Sequence, residues 1–181
     1  MAGRRSFADR RAERAAIDDP KLVLAAAARL LEARPRSETE VRRRLGQAGY
    51  RRDLIEGAVA KLVELGYLDD EAFARSWVES RDRARPRGAI ALRRELRLKG
   101  IDAGTIEATL EERAEVDADA DDRAARRLLD RNHQALARVA HPRARRQRAY
   151  ALLARNGFDP EICARLSRAV VEADDPEPGV G

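Results

Sequence analysis

Arginine is the residue type with most chemistry to offer in this chain. Arg42, Arg43 and Arg44 stand together, and Arg93, Arg94, Arg97 and Lys99 crowd the stretch RPRGAIALRRELRLKGI at 85–101. Arg81, Arg85 and Arg87 lead into that second cluster, while Arg143, Arg145, Arg146 and Arg148 form a third. A guanidinium presents a planar fork of donors that fits carboxylate and phosphate alike. That is the chemistry of binding. It breaks no bonds.

Residues that would break bonds are scarce. His133 and His141 are the only histidines, and neither lies in a recognisable catalytic motif. Cys163, the single cysteine, sits beside Ile162 and reads as a small core residue, so neither a disulfide framework nor a thiol metal cluster is expected. The run DADADD at 117–122 fails as a calcium loop, because the sixth and twelfth positions are Asp122 and Leu128 where glycine and glutamate are required. It reads instead as acidic residues favoured ahead of a helix. No GxxxxGK[ST] or GxGxxG phosphate loop is present. We expect no enzyme, no cofactor and no metal.

The 181 residues carry a formal charge of +5, with 38% charged, 44% hydrophobic and 4% aromatic residues. So few aromatics argue against a base-stacking platform. No apolar run approaches the ~20 residues of a membrane span, and residues 1–19 lack an apolar signal core. A cytoplasmic, monomeric protein is expected, with no membrane role.

The elements that must position the arginines read as helices. Asp19-Pro20 opens one bearing Leu22, Leu24, Ala27, Leu30 and Leu31. Ser37 and Glu40 form a capping box ahead of Val41 and Leu45, and Gly49 closes that helix. A third helix with Ile55, Val59 and Leu62 ends at Gly66. The same grammar returns with Phe73, Ala74 and Trp77, then Leu92 and Leu96, then Ile106 and Leu110. It returns again, less cleanly, with one long helix expected over 117–139 and others around Leu153 and Leu166. Gly49, Gly100 and Gly157 align: leucine precedes each by four, and Tyr50, Ile101 or Phe158 follows at once.

An all-α protein is therefore predicted, with three tandem three-helix repeats forming an elongated, curved molecule. The boundaries are a flexible basic arm at 1–18, repeats at 19–66, 67–115 and 116–173, and a flexible acidic tail at 174–181. In that register Arg42 matches Arg93 and Arg43 matches Arg94. Glu95 stands four before Lys99, and Glu38 and Glu40 stand four before Arg42 and Arg44, so local ion pairs on a solvated face compete with a binding role. For the two aligned clusters together, binding is the stronger reading.

Three stretches carry a resemblance: PRSxxExxxxL at 35–45, GYLDDEAFARSWVESR at 66–81 and RGAIALRRELRLKGI at 87–101. Together they resemble the RecX family of bacterial recombination regulators, over roughly residues 20–173 and most strongly in the first two repeats. The resemblance implies a non-enzymatic regulator of recombination, DNA repair and the SOS response. Its partner would be the RecA recombinase filament on single-stranded DNA, with inhibition of filament growth, ATP hydrolysis and strand exchange. Binding along the filament groove and capping of its ends both stay open, as does direct contact with the DNA. Gly66, Tyr67, Asp69, Asp70, Phe73, Leu96, Gly100 and Ile101 match family motifs and are expected to be structural, with Tyr67 and Phe73 as packing and Asp69 or Asp70 as a cap. Arg93, Arg94, Arg97 and Lys99 are the foremost contact candidates. Arg42, Arg43 and Arg44 join them from the first repeat, and Arg81, Arg85 and Arg87 form a second tier. The alternative is a helical DNA-binding protein that acts without a recombinase.

Overall fold

The computed structural model describes residues 6–172, and every regular element among them is a helix. In chain order they are α1 (Phe7–Ala15), α2 (Pro20–Ala33), α3 (Glu38–Ala48), α4 (Arg52–Glu64), α5 (Asp70–Ala84) and α6 (Ala89–Leu98). There follow α7 (Ala103–Val116), α8 (Ala120–Arg131), α9 (His133–Ala137), α10 (Pro142–Arg155) and α11 (Pro160–Glu172). The chain folds into two compact units. The first takes the residues up to Ala74 together with Arg97–Thr105; the second takes Arg75–Leu96 and the chain from Ile106 onward.

In the first unit α2 packs on α4 and both meet α3. Val23, Ala27, Val41, Leu45, Ile55, Val59, Leu62 and Leu68 form its core. The core stripe of α2 is Val23 and Ala27; Leu22, expected inside, is 54% exposed. In the second unit α8, α10 and α11 enclose Ala124, Ala125, Leu129, Ala149, Leu153, Phe158, Cys163 and Leu166. Each burial of this kind contributes about 1–3 kcal/mol, offsetting the entropy of ordering the chain.

The aligned glycines explain the repeat. Gly49, Gly100 and Gly157 have φ of +104°, +81° and +77°, the left-handed region where a Cβ is costly. The leucines four residues before them are buried at 2%, 0% and 0% exposure. Each glycine thus stops a helix whose last core residue is that leucine.

Three elements differ from expectation. The segment read as a flexible arm contains α1, opened by a reciprocal capping box between Ser6 and Asp9 and touching α3. The helix expected over 117–139 breaks at Asn132, whose amide turns back to Leu129 O and separates α8 from α9. Tyr67, expected as packing, is 70% exposed, and the next residue, Leu68, is buried in its place. The acidic tail at 174–181 lies outside the described residues.

Candidate functional site

The arginines that look alike in sequence separate into two kinds. Arg42 bonds Glu38 at 3.0 Å and Glu56 at 2.9 Å. Arg93 grips both carboxylate oxygens of Glu107 at 2.7 Å. Glu56 and Glu107 occupy the same repeat position, 51 residues apart, as Arg42 and Arg93 do. One clamp between second and third helices therefore occurs twice. A two-pronged guanidinium–carboxylate bond both orients and holds.

Arg81 and Arg87 are also engaged. Glu95 accepts from Trp77 Nε1 at 3.0 Å, Arg81 Nε at 2.6 Å and Arg87 Nε at 3.1 Å, and Arg81 stacks over the Trp77 ring at 4.1 Å. Burial pushes the Glu95 carboxyl up, but these donors outweigh it and hold its pKa below the usual value. Arg87 also bonds the Asn156 side chain. Lys99, a foremost contact candidate, reaches Glu40 at 3.0 Å, as does Arg34 at 3.1 Å through two bonds. Arg43 lies 3.8 Å from the same carboxylate and stays 54% exposed. Arg44, Arg85, Arg94 and Arg97 are exposed and form no ion pair among the described residues. Arg143, Arg146 and Arg148 are exposed on α10, while Arg145 donates to Val139 O.

The motif residues build helix joints. Asp69 caps its own helix α5 by accepting from Ala72 N at 2.8 Å. Asp70 caps a different helix: it accepts from Glu38 N at 2.9 Å, at the start of α3. Ser37 and Thr39 there donate to Lys99 O and Gly100 O at the end of α6. In the second unit Asp121 accepts from Ala89 N at 3.0 Å, and Gly88 N and Ile90 N donate to Asn156 O and Gly157 O. The two joints use equivalent positions with different donors: hydroxyls of Ser37 and Thr39 in the first unit, backbone N–H groups of Gly88 and Ile90 in the second. Each satisfies the free carbonyls of another helix end. A Cβ on Gly100 would lie 2.4 Å from Thr39, and one on Gly88 2.2 Å from Gly157 O. Phe73, Leu96 and Ile101 are buried.

Glu40, Glu56, Glu95, Glu107 and Asn156 hold these side chains in contacts that helical spacing did not mark: Glu40 was expected beside Ser37 and Arg44, and Glu95 beside Lys99. Apart from Arg43, three residues on from Glu40, their partners lie outside their own helices. Among the described residues no group of three or more His, Cys, Asp or Glu is placed to hold a metal ion, and no helix is long and apolar enough to cross a membrane.

Comparison with known proteins adds a family. The models of the RecX first and second three-helix domains match residues 24–62 and 69–110. A regulatory protein RecX from Mycobacterium sp. (strain JLS) is 43% identical over 104 residues, 57% of this chain and 55% of that protein, so about half the relative's length is matched. The regulatory protein RecX of Streptomyces coelicolor is 33% identical over 150 residues, covering 81% of this chain and 76% of the relative. That of Deinococcus radiodurans is 35% identical over 155 residues, covering 86% and 71%. A crystal structure of a regulatory protein RecX shares the fold, with TM-score 0.67 at 21% identity over 86% of this chain and 70% of that one. A helical chain whose residues 24–62 and 69–110 match both domain models, and whose relatives carry one name over most of their length, belongs to the RecX family of regulatory proteins.

Proposed function

We propose that this protein regulates homologous recombination without being an enzyme, by binding the RecA filament on single-stranded DNA and inhibiting its growth, ATP hydrolysis and strand exchange. The observation that carries the reading, beyond family membership, is the division among the arginines. Arg94 and Arg97 on α6 are exposed with no ion pair among the described residues, whereas Arg93 on the same helix is held by Glu107. Ordered helices that leave cations unpaired suit a partner rich in carboxylates and phosphates. Protein contacts then supply specificity, and arginine–phosphate contacts supply salt-sensitive affinity.

The test is single-stranded-DNA-dependent ATP hydrolysis by the cognate RecA, with the protein added to preformed filaments at rising ratios. The native chain inhibits, and R94A/R97A inhibits about ten-fold less while keeping its circular dichroism spectrum. Unchanged inhibition by the double variant removes these two residues from the interface. Tight binding of bare DNA with no effect on an active recombinase would instead make this a DNA-binding protein that acts without that partner.

A further inference from the structure

The first and second repeats share the tripeptide Arg-Pro-Arg, at 34–36 and 85–87, and they treat its last arginine differently. In the second repeat Arg87 donates through Nε to Glu95 at 3.1 Å. In the first repeat the residue equivalent to Arg87 is Arg36, and the residue equivalent to Glu95 is Arg44. A carboxylate has been exchanged for a second cation. Arg36 Nε turns to Leu30 O at 2.8 Å, and Arg36 Nη1 is buried with no hydrogen-bond acceptor. A buried guanidinium N–H left unsatisfied is costly. Burial first, then the charges of Arg34 and Arg44, lower the pKa of Arg36, so the like charges are felt. Around this point Arg34, Lys99 and Arg43 converge on the single carboxylate of Glu40. Cations outnumber carboxylates there.

We infer that Arg36 and Arg44, flanked by Arg34, Arg43 and Lys99, form a binding site for a phosphate group, which supplies the oxyanion that Glu95 supplies in the second repeat. A phosphate is favoured over a carboxylate by the count of cations: Glu95 meets two arginines, whereas Glu40 is already shared by Arg34, Lys99 and Arg43, and neither Arg36 nor Arg44 has a carboxylate within ion-pair distance among the described residues. A phosphate offers more acceptor oxygens for that many donors. Arg44 is exposed and can swing to admit the ligand. The inference concerns the first unit alone and does not depend on the recombinase reading.

R44E places in the first repeat the carboxylate that the second already has. The full chain is melted in sodium pyrophosphate and in sodium chloride of equal ionic strength. The native protein gains about 3 °C at a tenfold excess over Kd in pyrophosphate relative to chloride. R44E melts higher than the native protein in chloride and gains nothing from pyrophosphate. R44Q lacks both the cation and the carboxylate; it too loses the pyrophosphate gain, without the rise in chloride. Fluorescence anisotropy with an oligo(dT) strand separates the sources. Weaker binding and a shallower salt slope in R44Q assign the phosphate to a nucleic-acid backbone; unchanged DNA binding with a lost pyrophosphate response assigns it to free phosphates. Equal pyrophosphate gains in native, R44Q and R44E proteins overturn the site. A gain of the same size from succinate overturns the phosphate class in favour of an acidic protein.

Discussion

Glu40 is 3% exposed and faces Arg34 at 3.1 Å, Lys99 at 3.0 Å and Arg43 at 3.8 Å. Burial pushes its pKa up, but the hydrogen bonds and charges of Arg34 and Lys99 outweigh that and bring it from 4.5 down to about 2. The folded state therefore binds this proton less readily than the unfolded chain does. The stabilisation is fully present above the unfolded value near 4.5 and is lost as pH falls through about 2. It amounts to at most about 3 kcal/mol. In E40Q the shape survives but the cations lose their anion, so about 2–4 kcal/mol is lost at pH 7 and the acid dependence between pH 5 and 2 flattens. Urea unfolding at pH 7 and pH 3 measures both; an equally steep acid loss in native and variant proteins assigns the sensitivity elsewhere. Neighbouring arginines should also differ. R93A, which removes the fork on Glu107, costs about 1 kcal/mol, while R94A stays within about 0.5 kcal/mol. If urea midpoints rank these two the other way round, the division into clamps and unpaired cations fails.

Between elements, close backbone approaches act beside side-chain charge. Gly157 combines φ of +77° with a Cβ position 2.4 Å from Ala91 Cβ, whereas Gly66, at φ +71°, faces nothing within 4 Å. Alanine at Gly66 meets only the left-handed penalty of about 1–2 kcal/mol, and alanine at Gly157 adds about 1–3 kcal/mol of overpacking. Thermal melts of the two variants should rank them in that order, and equal shifts would show that the joint at Gly157 yields without cost. The sequence marks both glycines as helix stops, because stopping a helix is a local matter. It does not mark which of them another helix touches. The same limit applies to Asp70, readable as a cap but engaged with α3 in place of α5. It applies again to the acid on Arg93 and to one of the two acids on Arg42, each fourteen residues on, on the next helix; the other, Glu38, stands four before Arg42 as helical spacing marked it. Tyr67 follows a glycine as Tyr50 does, yet only Tyr50 packs against the core of the first unit. Periodicity marked the fold class and most of the helices and their stops, but not α1 or the break at Asn132, and it did not mark the contacts between helices.

At the scale of the whole chain, order in sequence and membership of a compact unit part company. The first unit needs Arg97–Thr105, although the first repeat, as read from its boundaries, ends at Gly66. The reason is chemical: the start of α3 gives Ser37 to Lys99 O, Thr39 to Gly100 O and Glu40 to the Lys99 ammonium. A fragment of residues 1–84 keeps α2, α3 and α4 but loses all three partners; a fragment of residues 1–116 retains them. Amides in the first turn of α3, capped by Ser37 and by Asp70 from α5 in both fragments, should exchange about ten-fold faster in the shorter one. The core around Val59 should show a smaller difference, since its packing lies within the first four helices and Leu68. Full-length K99M divides the contributions: it removes the ammonium but leaves both carbonyls, so protection at α3 should fall between those of the two fragments. If both fragments protect α3 equally, 97–105 only lies against the first unit, and the repeat is complete by itself. If only the longer one does, the smallest stable piece of this fold is one repeat plus the end of the next repeat's second helix. A cut at a repeat boundary then leaves the Ser37 and Thr39 hydroxyls and the Glu40 carboxylate without the partners that 97–105 supplies.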